Sequence, residues 1–125
     1  MNITEKLKIE KSDGIGTLTL NQANKRNAIS FEMWRDFSKA MAELETDPDV
    51  RVIVLTGAGD KAFSAGADIS EFGEYRSTPE QRALYSKYEH ATTSSLRNSP
   101  KFVIARIDGV CVGGGAEVAL DCDIQ

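Results

Sequence analysis

Three consecutive glycines, Gly113-Gly-Gly115, precede Ala116-Glu-Val-Ala-Leu120, a run of good helix formers. Glycines that open a helix leave backbone N–H groups unpaired at its positive pole, with no side chains in the way. Such a place favours an anion, and phosphate is one candidate. The glycines are not followed by Lys-Ser or Lys-Thr, as a P-loop requires, and they lack the G-x-G-x-x-G spacing of a dinucleotide fold. The other anion suited to a few aimed amides is an oxyanion developing on a carbonyl oxygen. A second donor can come from the Ala65-Gly-Ala-Asp68 turn. Glu117 falls three residues after Gly114, so its carboxylate hangs close to anything held at the helix mouth. Spacing alone leaves two readings open for it: a surface glutamate compensating the helix dipole, worth roughly 0.3–1 kcal/mol, or an acid/base group.

Few other residues offer chemistry. His90 is the only histidine, which excludes multi-histidine metal sites. A Ser-His-Asp triad would have to run through it, in His-Ala-Thr-Thr-Ser-Ser, with no nucleophile elbow nearby. A histidine on the side of a helix is the simpler reading. Cys111 and Cys122 make neither a disulfide framework nor a four-cysteine zinc site, and no metal site is expected. The net charge of −4 supplies no electrostatic footprint for nucleic acid. Apolar runs as short as Phe102-Val-Ile-Ala105 cannot span a bilayer, and Met1-Asn-Ile-Thr-Glu-Lys6 is no secretory signal. These features lead to the expectation of a cytoplasmic protein without nucleic-acid or membrane partners. Whatever chemistry it does must use carboxylates and backbone amides.

The elements that must position those groups follow from periodicity. Leu7 and Ile9 alternate with charged residues, Ser12-Asp13-Gly14 signals a turn, and Gly16, Leu18 and Leu20 alternate with threonines. That pattern predicts two antiparallel strands. Asn21 to Asn27 reads as a loop, and Ser30 caps a helix with an apolar stripe of Trp34, Phe37, Met41 and Leu44. Glu32, Arg35, Asp36, Lys39 and Glu43 read as its solvated face. Asp47-Pro48 stops the helix, and Arg51-Val-Ile-Val-Leu-Thr56 predicts a strand covered on both faces. Strand, helix, strand implies a right-handed crossover in a parallel sheet. Gly57 to Asp68 reads as a long loop lining a crevice. Thr78-Pro-Glu-Gln81 opens a second helix, with a stripe of Leu84, Tyr88, Ala91 and Leu96. Lys101 to Ile107 reads as another buried strand, and Asp108-Gly109 as a turn before the glycine triplet.

Hydrophobic residues make up 41% and charged residues 27% of 125 residues, a globular balance that fits one domain or a piece of one. Ile124 reads as the start of a further strand. A sheet left there has an open apolar edge, so residues 1–125 are expected to be the N-terminal portion of a single larger domain. The expected complement is the remainder of that domain, joined or docked.

Asn24-Lys-Arg-Asn-Ala-Ile29, Ala62-Phe-Ser-Ala-Gly-Ala-Asp-Ile69 and Gly113-Gly-Gly-Ala-Glu117 with Cys122-Asp-Ile124 resemble the enoyl-CoA hydratase/isomerase (crotonase) family. The resemblance runs from about Leu7 to Ile124 and implies an α/β fold, a spiral of β-β-α repeats incomplete at the C-terminus. Members bind acyl-CoA thioesters and stabilise a thioester enolate with two backbone amides, which by motif position belong to Ala67 and Gly114. The glutamate matching Glu117 works with water and the β-carbon in hydratases, while isomerase branches often lack a carboxylate there. The resemblance therefore implies a lyase of fatty acid metabolism, an enoyl-CoA hydratase. Arg26, with Ala28 beside it, matches the contact to the CoA phosphates. Ala65, Asp68 and Ile69 match the strip under the CoA adenine and pantetheine. Coenzyme A enters as part of the substrate, and no separate cofactor is implied. Hydratases of the family carry a second glutamate beyond the position of Gln125, and complete members form homotrimers or dimers of trimers. Isomerisation, dehydration of a hydroxyacyl-CoA and decarboxylation need the same amides. A non-catalytic acyl-CoA-binding fragment is the alternative from another class.

Overall fold

The computed structural model describes residues 2–125. Strands β1 (Leu7–Ser12) and β2 (Ile15–Leu20) form an antiparallel hairpin. Its turn places Asp13 and Gly14 at φ 53° and 82°, the left-handed pair that a two-residue hairpin needs. Helix α1 (Phe31–Thr46) starts where Ser30 accepts a hydrogen bond from the Met33 amide at 3.4 Å. Next come β3 (Val52–Gly57), β4 (Ala62–Ser64), the short α2 (Phe72–Tyr75) and α3 (Pro79–Arg97). Thr78 caps α3 by accepting from the Gln81 amide at 3.1 Å. Strands β5 (Phe102–Arg106) and β6 (Val110–Cys111) and helix α4 (Gly114–Leu120) complete the order. Single 3-10 turns fall at Ala23–Lys25 and Ile69–Glu71.

The main sheet runs β1-β2-β3-β5, with β2, β3 and β5 parallel. Leu18, Ile53, Leu55 and Val103 point from one face into a core completed by Trp34, Phe37, Met41 and Leu44 of α1 and by Tyr85 and Leu96 of α3. Ile124 bridges Ile104 in parallel, so the sheet continues past β5 as its sequence suggests.

Five expectations are corrected. The β3 run does not have both faces covered: its burial alternates, with Ile53 and Leu55 buried and Val52 and Val54 only half-buried. On that second face Ile15 is 45% and Phe102 57% exposed, so the fully buried strand expected at Lys101–Ile107 is also half-buried. A continuous apolar run cannot reveal which of its faces the same chain covers. Asp36 belongs to no solvated face; it is 1% exposed, because its carboxylate accepts from the Thr4 amide at 2.8 Å and pairs with Arg35 and Lys39. On α3 the buried residues are Tyr85, Thr92 and Leu96, with Tyr88 half-buried, while Leu84 is exposed. Tyr85 and Thr92 take the inward positions expected for Leu84 and Ala91, and Tyr85 and Tyr88 pack against Phe31, with Tyr85 also against Phe72. Finally, the long loop after β3 contains β4, which pairs with β6 as a second, two-stranded sheet.

Candidate functional site

That small sheet builds the site. Pairing of Ala62 with Val110 and Ser64 with Cys111 brings the Ala65–Asp68 turn against the glycine triplet. The Val112 amide donates to the Ser64 carbonyl at 3.2 Å and fixes the approach. Gly113 then takes φ 56° and ψ −130°, a backbone state open in practice only to glycine, and turns the chain into α4. Gly114 follows with the Ala67 nitrogen 3.6 Å from where its Cβ would stand and the Trp34 ring 3.3 Å away on another side. The two amides of Ala67 and Gly114 are thus neighbours. Neither finds an acceptor among the described residues, whereas Gly115 and Ala116 both donate to the Val112 carbonyl. A pair of adjacent, unpaired N–H groups can bind one oxygen carrying partial negative charge.

The Asn24–Ile29 segment is stitched to the same turn. The Ala65 amide donates to the Arg26 carbonyl at 3.0 Å, the Ile29 amide to the Gly66 carbonyl at 2.7 Å, and the Asp68 amide to the Ile29 carbonyl at 3.0 Å. Asn27 is a residue whose part was not read from sequence. It is buried, sits at φ 56°, accepts from the Gln22 amide and donates to the Ala58 and Ala62 carbonyls at 2.9 and 2.8 Å. Its amide locks the segment to the start of β4. An asparagine flanked by polar loop residues can signal a left-handed turn, but its distant partners leave no trace in local spacing.

Of the residues singled out above, Ala28, Ala65, Ala67, Asp68 and Ile69 line one groove, with Lys25 and Ser70. Asp68 is 6% exposed. Burial opposes its ionisation, but hydrogen bonds from Ser70 and Lys25 outweigh that and hold its carboxyl below the usual carboxylate range. Arg26 does not line that groove. It faces the adjoining one, with Asn24, Asp60 and Lys61. Glu117 is exposed and projects from α4, one turn beyond Gly114, into a cleft whose opposite wall is α3. Trp34 packs its ring edge beside Gly114; its indole nitrogen and the Tyr85 hydroxyl are buried without hydrogen-bond partners among the described residues, and burial pushes the Tyr85 phenol up to about 12. His90 is an exposed residue on the side of α3, as expected. Among the described residues no cluster of ligating side chains suited to a metal ion occurs, and no helix is long and apolar enough to cross a membrane.

This architecture is that of solved crotonase-fold proteins. An enoyl-CoA hydratase/carnithine racemase from Magnetospirillum magneticum superposes with a TM-score of 0.91 at 39% identity, over 97% of this chain and 45% of that one. Residues 10–125 match the enoyl-CoA hydratase/isomerase family, and the chain belongs to that family. It is 33% identical over 117 residues to the short-chain-enoyl-CoA hydratase of Clostridium acetobutylicum, covering 94% of this chain and 44% of the relative. It is 36% identical over 119 residues to (E)-benzylidenesuccinyl-CoA hydratase from Thauera aromatica, with the same two coverages of 94% and 44%. The chain therefore spans less than half the length of these relatives.

Proposed function

We propose that the complete protein is a CoA-thioester lyase, an enoyl-CoA hydratase that adds water across the 2,3 double bond. The observation that carries this reading is the adjacent pair of Ala67 and Gly114 amides without acceptors. In the proposed mechanism both N–H groups donate to the thioester oxygen. As water attacks the β-carbon, the electron pair of the double bond moves toward that oxygen and the amides stabilise the enolate. Glu117 takes a proton from the attacking water. A proton delivered to the α-carbon on the same face completes a syn addition. The groove of Ala28, Ala65, Asp68 and Ile69 holds the adenine and pantetheine of CoA, and Arg26 in the adjoining groove pairs with its phosphates. The remaining length seen in relatives supplies the second acid/base group, and the assembly is a trimer or dimer of trimers.

The test is turnover of a panel of 2-enoyl-, 3-enoyl- and 3-hydroxyacyl-CoA thioesters by the complete protein and its Glu117→Gln variant. Hydration of the 2-enoyl substrates is expected, with kcat falling about 100-fold or more in the variant while acyl-CoA binding persists. Unchanged turnover would remove Glu117 from the mechanism. A preference for the 3-enoyl substrates would make the protein an isomerase.

A further inference from the structure

Resting on the acyl-CoA reading above, the direction in which an acyl chain would run is set. CoA occupies the groove on one side of Ala67, the thioester oxygen meets the two amides, and Glu117 reaches the β-carbon. On that pose the carbons beyond it lead past Glu117 into the cleft between α3 and α4, of about 500 Å³, a volume suited to a small organic group. Its walls are not those of a hydrocarbon pocket. Glu89, His90, Thr93 and Arg97 of α3 face Glu117 and Leu120 of α4 and Asp121 just after it. Arg97 and Asp121 satisfy each other at 3.2 Å across the two helices and leave no free charge there. Glu89 differs. It is half-buried, and among the described residues it makes no ion pair. Burial raises its pKa, Glu117 across the cleft adds to the rise, and the attraction of Arg76 and His90 opposes it.

We propose that Glu89 is a specificity-determining residue, selecting acyl groups that carry a hydrogen-bond donor such as a hydroxyl beyond the β-carbon. A purely hydrocarbon chain would cover the Glu89 carboxyl and strip its water without replacing it, which costs free energy. A hydroxyl in the same place donates to it and repays that loss. Glu117 cannot serve as this partner, since as a carboxylate it too is an acceptor.

The test uses binding, so it does not depend on turnover. Calorimetry on the complete protein would compare 5-hydroxypentanoyl-CoA with hexanoyl-CoA, a pair in which a hydroxyl replaces a terminal methyl, and free CoA as a control. The hydroxylated ligand should bind about tenfold more tightly, the range expected for one hydrogen bond to a charged group. Glu89→Gln keeps an acceptor and should retain part of that preference. Glu89→Leu should erase or reverse it while leaving free-CoA affinity unchanged, which also shows that the variant is folded. Equal affinities in the unaltered protein, or a preference that survives Glu89→Leu, would overturn the proposal. Failure of free CoA and of both thioesters to bind would instead overturn the acyl-CoA reading itself.

Discussion

At the scale of single residues, the site depends on what two backbone nitrogens lack. The Ala67 and Gly114 amides have no acceptor among the described residues, while Gly115 is bonded to the Val112 carbonyl at 3.0 Å. An acyl-CoA seated as proposed should slow hydrogen exchange at Ala67 and Gly114 by about tenfold or more, with little change at Gly115. Uniform slowing of all three would point to general stabilisation and away from an oxygen held by that pair. Substitutions in the triplet should separate chemistry from folding. A Cβ on Gly114 would stand 3.3 Å from the edge of the Trp34 ring, which must give by a few tenths of an ångström. Gly114→Ala should therefore lower turnover and cost only about 1 kcal/mol of stability. On Gly115 the same atom would stand 2.7 Å from the backbone oxygen of Ser64, which cannot yield. Gly115→Ala should cost about 3 kcal/mol in chemical denaturation, at the upper end for overpacking.

Among the elements, α1 does more than close the core. Asp36 ties the residues before β1 to this helix through the Thr4 amide, and its partners Arg35, Thr4 and Lys39 outweigh burial to hold its pKa at about 2, against an ordinary 3.8. A carboxyl depressed on folding contributes stability that is fully present above the unfolded value and lost as pH falls through the folded one. Between about pH 4 and pH 2 the protein should lose about 2 kcal/mol from this group. Asp36→Asn should flatten that segment of the curve, as measured by urea midpoints across the range. The same residue marks a limit of reading by periodicity: a carboxylate between charged neighbours on a helix looks solvated until the distant Thr4 is known. Elements with local signals were legible, as with the Ser30 and Thr78 caps, the Asp13-Gly14 turn and the β-bridge at Ile124. Strands β4 and β6 were not, because three and two residues cannot display alternation. Yet their pairing alone brings Ala67 to Gly114. The glycine-rich turn after β3 pointed to a second donor, but the choice of Ala67 and Gly114 came only from the resemblance of the motifs.

Across the whole molecule, the sheet is dressed on one side only. Ile15, Phe102 and Ile124 are 45%, 57% and 51% exposed, and the half-buried Val54 and Ile104 lie between them. Contiguous apolar surface of this kind drives association. The 125-residue chain on its own should sediment as an oligomer or aggregate, and should unfold with poor cooperativity. A monomer with a sharp two-state transition in analytical ultracentrifugation and denaturation would show that this face tolerates water. The walls of the amide pair carry a different consequence, one for how the protein can diversify. Ala67 and Gly114 would act through main-chain atoms, and the space beside Gly114 is already bounded by Trp34. No alphabet of side chains is available there, so mutation can damage that feature but cannot retune it. In the proposed reading α3 offers side chains that can vary, since a change at Glu89, His90 or Thr93 reaches the cleft without touching the backbone geometry beside it. On that reading the main-chain pair and the α3 side chains are separate means, and the second can drift while the first stays still.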